Sequence, residues 1–243
     1  MSEPLRELPA PEAAQPEGEV KLTFLEHLRD LRKRLGRALV GVVVGMALVG
    51  GFVERIYHVL MQPVLDSLPA DQRQLSFLNP IEPLMVYLKL ALYGGVFVAA
   101  PWVLWQLWLF VAPALYRREK RLVVPFLLFG TLLFYGGAAF CYFLVMPPAF
   151  PAMLAIAGDA SLKANLTMSE MLSLVLAMLL GFGIVFELPV VIAFLSMIGL
   201  VSWKTLAKYR RHAVVVNVAI AAIITPTGDP FNLAMMAVPM VLF

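Results

Sequence analysis

Residues 171–200 read MLSLVLAMLLGFGIVFELPVVIAFLSMIGL, and the class of the protein turns on them. Glu187 is the one charged residue in the stretch. As a helix it would run about 45 Å at 1.5 Å per residue, against a hydrocarbon core of roughly 30 Å. That is too long for an upright span and too short for two spans with a turn. It reads as a single membrane span, tilted or kinked at Pro189.

Other apolar runs lie on both sides. Leu35 to Val53, Leu88 to Val111 and Leu122 to Met146 are each long enough to cross a bilayer. Two shorter ones, Ala213 to Ile224 and Phe231 to Phe243, flank Thr225-Pro-Thr-Gly-Asp-Pro230 and read as a short hairpin of spans. The whole chain of 243 residues is 61% hydrophobic and 14% charged, far from the balance of a soluble domain. The expectation is an all-α polytopic membrane protein with six transmembrane helices, at about 35–53, 88–111, 122–146, 171–200, 213–224 and 231–243. The last run ends at Phe243 without a cationic anchor, as a truncated chain would.

The ends and loops fix an orientation. Residues 1–21 form an acidic, proline-rich tail expected to be disordered, and the first apolar run comes too late for a cleavable secretory signal. Residues 22–34 place Leu22, Leu25, Leu28 and Leu31 on one face of an amphipathic helix, with Thr23 and Glu26 spaced as a capping box. Of the 19 lysines and arginines, fifteen fall in the tail with its helix, in 117–121 or in 204–211. Only Arg55, Arg73, Lys89 and Lys163 fall on the other side. Six spans with both termini in the cytoplasm satisfy that asymmetry. The segment 54–87, with prolines at 63, 69, 80 and 83, reads as a long outer loop, and 147–169 as a second one after a stop at Pro147-Pro148.

Several side chains stand out. A carboxyl at mid-bilayer costs roughly 2.5–3.5 kcal/mol on insertion scales, so Glu187 should face protein or a water-filled groove. Asp30 and Glu119 are acidic positions among basic ones; each reads either as locally ion-paired or as part of a carboxylate pair that grips guanidinium groups. Gly41-Val-Val-Val-Gly45 allows close helix approach, expected within the chain rather than at a dimer seam. Trp102, Trp105 and Trp108 read as an interfacial belt that also packs. Cys141 reads as a small buried hydrophobe. His27, His58 and His212 are scattered, and no phosphate-binding glycine loop or hydrolase motif appears, so neither a metal, a cofactor nor an enzymatic activity is expected.

Five motifs then point one way. His27-Leu-Arg-Asp-Leu-Arg-Lys-Arg-Leu35, Ala100-Pro101, Gln106-Leu-Trp-Leu-Phe-Val-Ala-Pro-Ala-Leu115 with Glu119-Lys-Arg121, Phe186-Glu-Leu-Pro189, and Ile224-Thr-Pro226 with Asp229 occur in order. Over residues 22–243 the chain resembles the TatC family. The resemblance implies six helices in a concave, glove-like bundle with two short final spans, in a bacterial inner membrane. It implies recognition of twin-arginine signal peptides on folded precursors, with TatB-type and TatA-type single-span partners, self-association in a receptor complex, and export driven by the proton motive force. No nucleic acid is involved. The signal-peptide site it implies comprises Asp30 (where the family more often has glutamate), Arg32, Pro101, Phe110 and Glu119. Glu187 matches the family's intramembrane glutamate, and Pro63 and Asp229 match functional positions of outer loops. Two other classes remain in view. One is a proton-coupled small-molecule transporter that uses Glu187 as a relay; the other is an assembly scaffold with no groove function.

Overall fold

A computed structural model describes residues 24–68, 73, 75–111, 123–156 and 166–202, together with positions 208, 214–215, 218–219, 222, 234 and 237. The tail, Thr23, the 116–121 loop, the 203–211 loop as a continuous segment and the two short final runs lie outside the described residues. The first helix, α1, is Phe24–Gly50; the amphipathic start and the first apolar run form one continuous element. At Gly51-Phe52 the chain turns by 87° into α2, Val53–Asp66. The expected outer loop is therefore largely helical. Tyr57, Met61 and Val64 recur three or four residues apart and bury one face of α2. Pro63 sits inside it.

Helix α3, Glu82–Val111, runs through Pro101 without a break. Helix α4, Val123–Phe140, passes into a π-helical turn, Cys141–Val145, and then α5, Met146–Ile156. Pro147-Pro148 does not end the helix as expected. A proline is tolerated in the first turn after a change of helical pitch, where its missing N–H costs least. Helix α6, Met168–Val185, and α7, Leu188–Met197, are separated at Phe186-Glu187, so the expected kink lies just ahead of Pro189, which occupies the first turn of α7. Three helical stretches among the described residues are long and apolar enough to cross a membrane: α3, α4 through α5, and α6 with α7. The bent pair α1–α2 makes a fourth.

Glycines set how closely these helices approach. A Cβ at Gly45 would stand 2.6 Å from the Gly95 carbonyl oxygen, and one at Gly95 would stand 2.6 Å from the Met46 amide. The Gly41–Gly45 pair thus serves packing within the chain, as expected, and α1 lies antiparallel on α3. On the other side Gly137 admits the Phe182 carbonyl and the Phe186 ring, which joins α4 to α6. Helix α6 is the most enclosed: Leu172, Val175, Leu176, Leu179 and Phe182 are buried, and Cys141 packs fully buried beside them. Leucines, valines and phenylalanines on the outer faces of α1, α3 and α4 are exposed, which suits contact with lipid tails.

The helix ends opposite the start of α1 are tied by polar contacts. Ser76 pairs with Thr167 as a parallel bridge, with Ser76 N–H donating to the Leu166 carbonyl and Met168 N–H to that of Ser76, both at 3.0 Å. Glu82 accepts from the Leu78 amide at 2.8 Å and from the Ser169 amide at 3.0 Å, holding the loop before α3 to the start of α6. Lys89 donates to Ser173 Oγ at 2.7 Å one turn further in. We expect Gly95→Val to cost about 1–3 kcal/mol by overpacking the α1–α3 seam. Gly36→Ala, where nothing lies within 4 Å, should leave stability unchanged or raise it by up to about 1 kcal/mol through helix propensity. Thermal unfolding in detergent reads both.

Candidate functional site

The start of α1 and the end of α3 meet. His27 stacks on Phe110 with ring centroids 4.3 Å apart and planes 24° from parallel. Ten residues along α1, the Arg37 carbonyl accepts from Trp102 Nε1 at 2.9 Å. The same indole fills the space that a Cβ at Gly41 would need. Trp102 is thus a clasp between two helices. Trp108 packs on Phe126 and Phe194, with centroids at 5.3 and 5.1 Å, which draws the start of α4 and the end of α7 to the same end of the molecule. The basic segments 29–37, 117–121 and 204–211 all adjoin that end in sequence.

Asp30 is one turn from His27 on α1, half-buried, and its Oδ2 accepts from Arg34 Nε at 2.6 Å. This is the local ion pair anticipated for it. Such an i,i+4 pair contributes only about 0.3–0.5 kcal/mol, so an arriving guanidinium can exchange with Arg34 at little cost. Arg32 is exposed. Pro101 is half-buried and adjoins the Trp102 clasp. Glu119 lies outside the described residues, as does Asp229. Asp30, Arg32 and Phe110 therefore come to one end of the bundle, with Pro101 further along α3.

Glu187 is elsewhere. It occupies the break between α6 and α7, where the Glu187 amide donates to the Ile184 carbonyl at 3.1 Å and Val191 N–H donates to the Glu187 carbonyl at 3.0 Å. Its carboxylate lies against the Cα of Gly130 on α4: a Cβ there would stand 3.0 Å from Oε2. Its Oε1 is buried with no hydrogen-bond partner among the described residues, a property shared by Oε1 of Gln106 on α3. A buried acceptor left open is costly, and its cost is recovered when a polar group arrives. Pro63 is separate again, on α2 beside a shallow groove that Gln62, Ser67, Tyr142, Pro147 and Pro151 share.

Three contributors escaped the sequence reading. His27 stood in the tail with no visible partner, because nothing in the pattern places Phe110 beside it. Gly130 carries no chemistry, and only its neighbour reveals its use. Gln106 lies in an apolar helix, where a lone polar residue was the available signal. Among the described residues no cluster of three metal-ligating side chains occurs.

A family model described as Sec-independent protein translocase protein (TatC) matches residues 26–239. The Sec-independent protein translocase protein TatC of Koribacter versatilis (strain Ellin345) is 41% identical over 223 residues, covering 91% of this chain and 82% of that one. Its counterpart in Escherichia coli (strain K12) is 36% identical over 217 residues, covering 89% and 83%. A crystal structure of the twin arginine translocase receptor TatC aligns with a TM-score of 0.76 at 37% identity, over 89% of this chain and 93% of that one. A second crystal structure of that receptor, in DDM, aligns at 0.78 with 35% identity, over 89% and 95%.

The ring stack is testable by itself. His27→Ala and Phe110→Ala should show a coupling of about 0.5–1.5 kcal/mol in a double-mutant cycle of unfolding, the usual range for an aromatic pair. Strict additivity would mean that the rings do not interact.

Proposed function

Because this chain belongs to the TatC family of Sec-independent protein translocase proteins, we propose that it is the subunit that recognises twin-arginine signal peptides on folded precursors. The observation that carries the reading is the His27–Phe110 stack, which holds the end of α3 on the turn of α1 that bears Asp30. Glu119 follows Phe110 closely in sequence. Two carboxylates on such a surface suit two guanidinium groups, because each planar guanidinium offers a fork of N–H donors to a carboxylate. Arg34 holds the Asp30 carboxylate in place until the ligand arginine displaces it.

The apolar part of the signal peptide then lies along the bundle, where the open Oε1 of Glu187 meets it or a partner helix. Six spans with both termini in the cytoplasm, in an inner membrane, complete the arrangement. The clustering of basic segments beside one end of the described bundle supports that orientation. TatB-type and TatA-type single-span proteins are the partners, further copies of the chain assemble with it, and the proton motive force drives export. The family is one of translocase components, so the chain moves its substrate without catalysing a covalent reaction, and translocation is favoured over solute transport.

Photocrosslinking in membranes tests the recognition step. Probes near Asp30 and Glu119 should capture a precursor with paired arginines and lose a precursor with paired lysines. Glu119→Ala should lower capture and export at least about tenfold, the scale of a lost charge-assisted contact. Asp30→Glu should leave both at or above the starting level. Equal capture of both precursors would overturn the assignment.

A further inference from the structure

Two of the prolines in this fold share an arrangement that neither their sequence context nor their position accounts for. A proline inside a helix has no N–H, so the carbonyl four residues earlier loses its partner. For Pro101 that carbonyl belongs to Phe97, and the Tyr135 hydroxyl on α4 donates to it at 2.8 Å. For Pro63 it belongs to Val59, and the Tyr142 hydroxyl donates to it at 2.6 Å. Each proline thus opens one acceptor, and a tyrosine from the neighbouring helical rod fills it. The two tyrosines sit either side of the point where α4 gives way to the π-helical turn, Tyr142 being its second residue. A π turn inserts extra backbone and changes the direction in which following side chains leave the helix. That change lets one rod address α3 with Tyr135 and α2 with Tyr142.

We propose that Tyr135 and Tyr142 are positioning residues for translocation, and that Pro101 and Pro63 act through them. In this account neither proline is valued for a kink, and α3 indeed continues unbroken through Pro101. The prolines instead leave a carbonyl on the flank of a helix without the N–H partner that regular helix gives it. The bond at Phe97 fixes α4 against the middle of α3, below the Trp102 clasp. The bond at Val59 fixes α2 against the top of the same rod. Together they set the distance between the arginine-recognising end of α3 and the outer face, with α4 as the strut. The proposal rests on the reading of the chain as a translocase subunit in which Pro63 and Pro101 serve function.

The two bonds differ in surroundings. Phe97 lies midway along a membrane-spanning helix, where no water can replace a lost hydroxyl. Val59 is exposed on α2 and lines a polar recess with His58, Gln62, Asp66 and Arg73, where water can. The first bond should therefore be the more demanding.

The test is a pair of double-mutant cycles on the full chain in membranes and in detergent: Tyr135→Phe with Pro101→Ala, and Tyr142→Phe with Pro63→Ala. An alanine restores the backbone N–H, so the helix reclaims its own carbonyl and the hydroxyl becomes dispensable. Tyr135→Phe alone should lower the unfolding temperature by several degrees and slow export of a twin-arginine reporter about five- to tenfold. In the Pro101→Ala background the same change should leave both within about twofold of Pro101→Ala alone. Tyr142→Phe should behave alike with a smaller effect, about two- to threefold in export. Additive unfolding temperatures in both cycles would overturn the pairing, and wild-type export in both Tyr→Phe chains would overturn the positioning role. The unfolding cycle does not depend on the substrate. Non-additive unfolding in a chain that carries twin-lysine and twin-arginine precursors equally would retain the pairing and reject the recognition reading instead.

Discussion

A backbone carbonyl in hydrocarbon has no water to turn to, and that single restriction organises the molecule. Regular helix answers it for most residues. At two interruptions of the helical pattern a replacement donor lies nearby. The Glu187 amide takes the Ile184 carbonyl at the α6–α7 break, and the Tyr135 hydroxyl takes the Phe97 carbonyl that Pro101 releases. The interruptions lie at Glu187 and at Pro101. Irregular backbone is costly in this solvent, so its presence marks places where a straight helix would not serve.

Packing then decides what the interruptions face. Lipid tails are as apolar as leucine, so helices gain little by merely hiding leucine from them and must instead approach closely. Gly45 on Gly95 and Gly137 on the Phe182 carbonyl provide that approach on the two faces of the bundle. Close contact of α4 with α6 is also what brings Gly130 to the Glu187 carboxyl. Stability and site geometry share one set of glycines.

How much of this was legible beforehand varied with the distance over which the cause acts. The apolar runs announced their own spans, because length and composition are local. The spacing of Gly41 and Gly45 announced a close helix approach, and the structure supplied its partner in α3. The helical nature of 53–66 was hidden by Pro63 and by charged residues on its exposed face, although Tyr57, Met61 and Val64 carried the period. Pro147-Pro148 looked like a stop because the π turn ahead of it leaves no sequence trace. At the site, Asp30 and Glu187 declared themselves by charge in unusual places. His27 with Phe110, and Tyr135 with Phe97, depend on which helices are neighbours, and no pattern within one segment contains that.

The recess at Gly130 has a consequence for how the protein is made. Chains emerge at roughly 5–20 residues per second, so α4 is complete several seconds before Glu187 leaves the ribosome. The carboxyl need not wait in lipid for its surroundings to assemble. A gap of the right size already stands on an earlier helix, and α6 is bound to be drawn against it as it enters. The order of synthesis and the placement of one missing methyl group thereby lower the penalty for inserting a segment that carries an acid through its middle.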